Sequence, residues 1–249
     1  MKMPEFCLED VDSYIRRASQ LIKLNEDSGI KILPFYSNDY IEVLKQNNDY
    51  PALLFSIGDL SCCKSKRNIG ILGSMDSLKY SIDCARRFGE ICAENNITIV
   101  SILNNNCNIS AINGALRNGG RVVLITPTVL SDYQNSIYKE FYLKIIENGG
   151  CVISCMLQHR GSKYISIQNH RIFNALCLKL IIIDGHKIFG VEDILKAAVI
   201  NKKEIGFLSV KEESERLQSI YLDRKLMAPY KGKPLVDKQD LAMFLSELL

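Results

Sequence analysis

At 249 residues the chain is long enough for one large core domain with appendages or for two small domains, and too long for a single minimal module. Hydrophobic residues at 47% and charged residues at 24% are ordinary globular values, which exclude wholesale disorder and a fibrous repeat. Thirty-one Lys and Arg against 28 Asp and Glu leave a net charge of +3, so any basic surface for nucleic acid has to be local.

The chain opens with a helical pattern from Leu8 to Leu24, followed by an extended, turn-broken region carrying Pro34, Asn38, Asp39, Asn47, Asn48 and Pro51. Residues 1–60 therefore read as a small N-terminal subdomain with its linker, and residues 61–249 as the main domain with a C-terminal helical extension. From Asn68 the pattern is regular: the strand NIGILG, a helix from about Ser77 to Asn95, then the strand ITIVSIL. Helix Ser110–Asn118 precedes strand Arg121–Ile125, and helix Gln134–Glu147 precedes strand Cys151–Ser154. Helix Gln168–Leu178 leads to strand Leu180–Asp184, and helix Val191–Ile200 to the strand EIGFLSV. Six short apolar strands separated by amphipathic helices predict an α/β fold with a doubly wound, mostly parallel, Rossmann-like sheet, because parallel strands need crossover connections and are buried on both faces.

The opening MKMPEFCLEDVDSYIRR has no apolar run of signal-peptide length, and the longest apolar stretches are strand-sized, so a cytoplasmic protein with no membrane partner is expected. The nine cysteines, Cys7, Cys62, Cys63, Cys84, Cys92, Cys107, Cys151, Cys155 and Cys177, are scattered and form no CxxC. Adjacent Cys62 and Cys63 do not make the paired hooks of a zinc site, so reduced, mostly buried thiols are expected. His159, His170 and His186 lie far apart with no HExxH or HxH, which argues against a metal centre. There is no GxSxG elbow, Walker loop or GxGxxG, so the common hydrolase, P-loop and dinucleotide readings have no foothold, and no cofactor is expected.

In a doubly wound sheet, ligands sit outside the carboxyl ends of the strands, where loops enter helix N-termini. The first such loop, Gly73-Ser74-Met75-Asp76-Ser77, has small residues that let backbone N–H groups approach an anion, with Ser77 placed to cap the next helix; an ordinary strand-to-helix turn would use the same residues. The second, Ser101 to Asn108, is rich in asparagines that suit a polar ligand, while Asn108 also suits a turn or helix cap. The third candidate is Asn169-His170-Arg171, read as the start of a helix. An arginine there opposes the helix dipole and is better placed on a phosphate or carboxylate than idle; a solvated surface arginine is the alternative.

The order of these loops resembles the DprA/Smf family of DNA-processing proteins over most of the chain. DYPALLFSIGDL is similar to the family's proline, apolar run and glycine, on Pro51, Leu53, Leu54, Phe55 and Gly58. The family's GSR falls on Gly73-Ser74-Met75, with Ser77 matching a later serine. Its SGxAxGID falls on Ser101 to Asn108 and its AAHxGAL on Ser110 to Leu116, where Ser101, Ala111, Gly114, Ala115 and Leu116 agree. GGRVVLI resembles the GGxTIAVL strand, and RNRII corresponds to Asn169-His170-Arg171-Ile172-Phe173. Asp184 stands at the acidic strand end, and Gly232, Pro234 and Asp240 match the closing segment. The sequence ends at Leu249, so the winged-helix domain that many members append is not expected.

The resemblance implies a Rossmann-like homodimer that binds single-stranded DNA in a positively charged pocket and, in naturally competent bacteria, hands it to a recombinase; such proteins are not enzymes. Its implied contacts are Gly73, Ser74, Met75, Ser77, Ser101, Asn106, Asn108, Arg121, Asn169, His170 and Arg171. The sequence departs from the pattern where Met75 replaces an arginine, Asn106 and Asn108 replace glycine and aspartate, Ile112 replaces histidine, and Asn169-His170 replaces Arg-Asn. Losing two arginines weakens a phosphate clamp, which leaves open a second reading as a SLOG-type Rossmann sensor of a nucleotide-derived small ligand. A third, a LOG-type phosphoribohydrolase, requires a PGGxGTxxE loop, and the pairs Gly119-Gly120 and Gly149-Gly150 both precede strands without it.

Overall fold

Strand-length apolar runs alternate with amphipathic helices along the chain, and burial of each run on both faces requires helices above and below one sheet. The computed structural model has that arrangement and describes residues 8–46, 50–74, 77–103, 106–156, 162–185, 188, 190–208, 225–236 and 238–248. Helix α1 (Leu8–Asp27), strand β1 (Lys31–Pro34), the short helix α2 (Glu42–Lys45) and strand β2 (Leu53–Gly58) come first. A 3₁₀ turn (Leu60–Lys64) leads to β3 (Asn68–Gly73), α3 (Lys79–Glu94), β4 (Thr98–Ile102), α4 (Asn106–Arg117) and β5 (Val122–Ile125). A second 3₁₀ turn (Leu130–Asn135) precedes α5 (Lys139–Glu147), β6 (Cys151–Ser154), α6 (Ser162–Leu176), β7 (Lys179–Ile183), α7 (Val191–Ile200) and β8 (Glu204–Leu208). Strand β9 (Lys233–Leu235) and helix α8 (Lys238–Leu245) follow.

The nine strands form one sheet in the order β1-β2-β6-β5-β4-β3-β7-β8-β9. The β1–β2 and β2–β6 ladders are antiparallel and the others parallel. The six expected strands are all present. Three more, β1, β2 and β9, lie toward the sheet's edges; β1 and β9 are only four and three residues long, and each contains a proline, which weakens a strand signal.

Alternate strand residues feed two cores, as a period of two requires. One holds Ile69, Ile71, Ile99 and Leu124 against Phe88 of α3, Ile112 of α4 and Tyr142 of α5. The other holds Leu72, Val100, Val123 and Ile125 against Ile172 and Phe173 of α6 and Ile194 of α7. Helices α3 and α4 touch almost backbone to backbone: a methyl group on Gly89 would lie 2.0 Å from the Ala111 carbonyl oxygen, and one on Gly114 would lie 2.0 Å from that of Arg86.

From β3 the chain adds β4, β5 and β6 on one side, then crosses back through α6 to place β7 and β8 on the other. The loops leaving β3 and β7 therefore diverge, and the crevice between them is the fold's own site for a ligand. Among the described residues no helix is long and apolar enough to cross a membrane.

Candidate functional site

The floor of the crevice is set by backbone and amide hydrogen bonds. Ser74 N–H donates to the Ile183 carbonyl at 3.2 Å, tying the loop after β3 to the end of β7. Gly73 N–H donates to Asn108 Oδ1 at 2.7 Å, while Asn108 Nδ2 donates to the Ile102 carbonyl at 2.9 Å. One buried amide thus joins the ends of β3 and β4 to the first turn of α4. Gly73 leaves room for this contact: a Cβ there would fall 2.3 Å from Cys107 Sγ.

Several candidates turn out to hold the site up rather than face a ligand. Asn108 and Ser101 are fully buried, and Ser101 Oγ donates to the Ile71 carbonyl at 2.9 Å. The Ser74 side chain is also buried. Ser77 does not cap α3: its Oγ donates to the Ser74 carbonyl at 2.9 Å, and Leu78 occupies the cap position without a side-chain bond. Met75 lies outside the described residues, as do Asp76, Asn104 and Asn105. Asn106 is the first residue of α4 and is exposed, so of the second loop it is the side chain positioned to reach a ligand, beside the partial positive charge of that helix end.

The third candidate needs a correction. Asn169, His170 and Arg171 are in the middle of α6, which begins at Ser162, so the dipole argument for Arg171 does not hold. The helix start is hidden in the sequence because polar Asn169 takes a buried position one turn before Phe173 and interrupts the apolar stripe. Asn169 is 2% exposed, and its Oδ1 meets no donor among the described residues, an uncommon state for a buried amide. His170 is half-buried against Gly190, the cap of α7; burial lowers its pKa, against a smaller opposing effect of Asp193. Arg171 is exposed.

Arg121 is not brought to the crevice. It precedes β5, at the amino end of the sheet, where its side chain runs past Gly149 and its charge acts on Asp59. The basic run Lys64 to Arg67 precedes β3 and lies at that end too. Of the tyrosines, Tyr40 fills the core, while Tyr36 is exposed beside Phe35. Sequence reasoning missed Lys79 and Tyr80, both exposed in the first turn of α3 above the loop from Gly73. Placing the start of that helix at Ser77 rather than Lys79 had hidden them.

A cleft of about 580 Å³ opens at the N-terminus of α7, lined by Ile188, Gly190, Glu192, Asp193 and Lys225 among others. Its carboxylates, Glu192 and Asp193, both pair with Lys196.

The family model for DNA recombination-mediator protein A matches residues 31–221. No curated protein matches the sequence. Among solved structures, DNA processing protein A from Helicobacter pylori superposes with a TM-score of 0.68 at 18% identity, over 88% of this chain and 96% of that one. DNA processing protein A from Streptococcus pneumoniae gives 0.68 at 19% identity, over 92% and 80%. The molybdenum cofactor carrier protein of Chlamydomonas reinhardtii is more distant, at 0.50 and 14% identity over 74% and 96%. These likenesses share the fold, and the family model spans most of the chain, from β1 past β8. The protein belongs to the DNA recombination-mediator protein A family, the DprA/Smf family that its loops resemble.

Proposed function

We propose that the protein binds single-stranded DNA across the carboxyl ends of β3 and β4 and serves as a mediator that passes the strand to a recombinase. The observation that carries this reading is that exposed Lys79 and Tyr80 open α3 and exposed Asn106 opens α4, the two helices that follow the carboxyl ends of β3 and β4, over loop ends locked by Asn108, with Arg171 exposed on α6. Lys79 and Arg171 supply cations for phosphates, Tyr80 a face on which a base can stack, and Asn106 with the first N–H groups of α4 an anion-accepting helix end.

The reading draws on family membership, and on the Helicobacter pylori relative, which is described as having a single-stranded DNA binding mode. Membership favours it over sensing of a nucleotide-derived small ligand, and supports holding DNA over a catalytic step. Assembly as a homodimer and use in DNA uptake during natural transformation belong to the same proposal.

Fluorescence anisotropy of a labelled single-stranded oligonucleotide tests it. Binding should weaken steeply with added salt, and Arg171→Ala and Lys79→Ala should each weaken it several-fold and flatten the salt slope by about one charge. Arg121→Ala, at the far end of the sheet, should leave affinity unchanged. Absence of binding at low salt, or equal losses at Arg121 and Arg171, would sink the reading.

A further inference from the structure

At the amino end of the sheet, away from the crevice, three cysteines that are scattered in the sequence meet. Cys62 and Cys63 sit in the 3₁₀ turn after β2, and Cys151 opens β6 opposite Gly58. The turn is well held: Asp59 Oδ1 accepts from Ser61 N–H at 2.8 Å, and Asn68 Nδ2 donates to the Cys62 carbonyl at 3.1 Å. Cys151 Sγ is 3.4 Å from Cys62 Sγ and 3.5 Å from Cys63 Sγ, and all three sulfurs lie within 4.8 Å of one another. All three residues are buried. Among the described residues this is the one grouping of three or more His, Cys, Asp or Glu ligand atoms so close together.

An ion about 2.3 Å from each of three sulfurs, in trigonal or tetrahedral geometry, separates them by about 3.8–4.0 Å. The cluster reaches that spacing with shifts of a few tenths of an ångström for the two short pairs, within the reach of a χ1 adjustment. Buried thiolates are soft ligands that select d¹⁰ ions over hard cations. The Arg121 guanidinium, close enough to act electrostatically on Cys62, offsets part of the negative charge that three thiolates bring.

We propose that Cys62, Cys63 and Cys151 form a three-thiolate site for a soft d¹⁰ cation, zinc(II) or copper(I), which fastens the start of β6 to the turn that enters β3. Each sulfur that coordinates gives up its proton, so binding releases protons and tightens as pH rises. Cys62 and Cys63 are the reduced, buried thiols expected from the sequence, and local spacing does not show that Cys151, 89 residues from Cys62 in the chain, joins them.

The full chain, purified reduced and stripped of metal, is titrated with zinc(II), with copper(I) under anaerobic conditions, and with cobalt(II) as a spectroscopic probe. One ion per chain should be retained, with a thiolate-to-cobalt charge-transfer band and a raised Tm; which of zinc and copper survives competition identifies the ion. Cys151→Ser should lower affinity at least tenfold, and Cys92→Ala, buried in α3, should not. A folded wild-type chain that retains neither ion and shows no charge-transfer band overturns the proposal whatever the variants do. So does undiminished binding by Cys151→Ser.

Discussion

Asn108 accepts the Gly73 N–H at 2.7 Å while its amide nitrogen reaches the Ile102 carbonyl, so a single side chain sets the spacing of two strand ends. Asn108→Ala should leave a buried donor and a buried acceptor without this partner, at a cost of about 2–4 kcal/mol. Thermal melting should show a Tm lower by roughly 5–10 °C. Single-stranded DNA affinity should fall too, since the first turn of α4 loses its anchor; unaltered melting would show that the two loops are held by other means.

The α3–α4 contact makes a sharper prediction. Gly89→Ala drives a methyl group into the Ala111 carbonyl, and Gly114→Ala does the same at Arg86, where backbone cannot yield as a flexible side chain would. Each should destabilise by about 3 kcal/mol or more, at or above the usual upper range for overpacking. Chemical denaturation of the two single variants and the double variant checks this. The double should cost less than the sum of the singles, because one separation of the helices relieves both clashes.

Lys179 is buried, with Nζ 2.5 Å from Glu204 Oε2, and it donates to the Phe244 carbonyl at 2.9 Å. Lys233 pairs with the other Glu204 oxygen. Glu204→Gln removes the carboxylate that balances the buried Lys179 charge and should cost on the order of 3 kcal/mol, whereas pairing it with Lys179→Met should recover most of the loss. Hydrogen bonds from Lys179 and Lys233 lower the Glu204 pKa. Its contribution is therefore complete above the ordinary glutamate value of 4.5 and is lost as pH falls through the lowered native value. Urea denaturation should show this acid slope in the wild type and not in Glu204→Gln.

His170 acts in a different pH window. Burial lowers its pKa from 6.5, so the unfolded chain takes up a proton there before the native one does. Stability from this source is full above 6.5 and falls as pH drops through the lowered native value. His170→Gln should flatten the wild-type loss that sets in as pH drops below 6.5 and leave the Glu204 slope below 4.5 in place. Because His170 is neutral at pH 7, the variant should not change the salt dependence of DNA binding.

The sequence carried the fold further than the site. Ala111, Gly114, Ala115 and Ser101, the residues on which the family resemblance rests most directly, are buried and serve helix contact or strand bridging, so the pattern they form is a pattern of packing. Strands buried on both faces are legible as short apolar runs. Edge strands interrupted by Pro34 and Pro234 are not. Asn169 hides a helix start by placing an amide where an apolar residue is expected, and Lys79 and Tyr80 escape notice because the sequence places the start of α3 two residues too early. The pairing of Cys62 with Cys151 depends on the antiparallel β2–β6 ladder, which local spacing does not encode.

The two strands that bound the sheet share a composition: Lys31 to Pro34 on one side, Lys233 to Leu235 with Pro234 on the other. Proline withholds a backbone donor, lysine resists being stripped of water, and strands this short expose few free hydrogen-bonding groups. Neither border invites a further strand, whether from a second copy of the chain or from an extended peptide. A partner of this protein therefore meets helix surfaces or the loops at the strand ends.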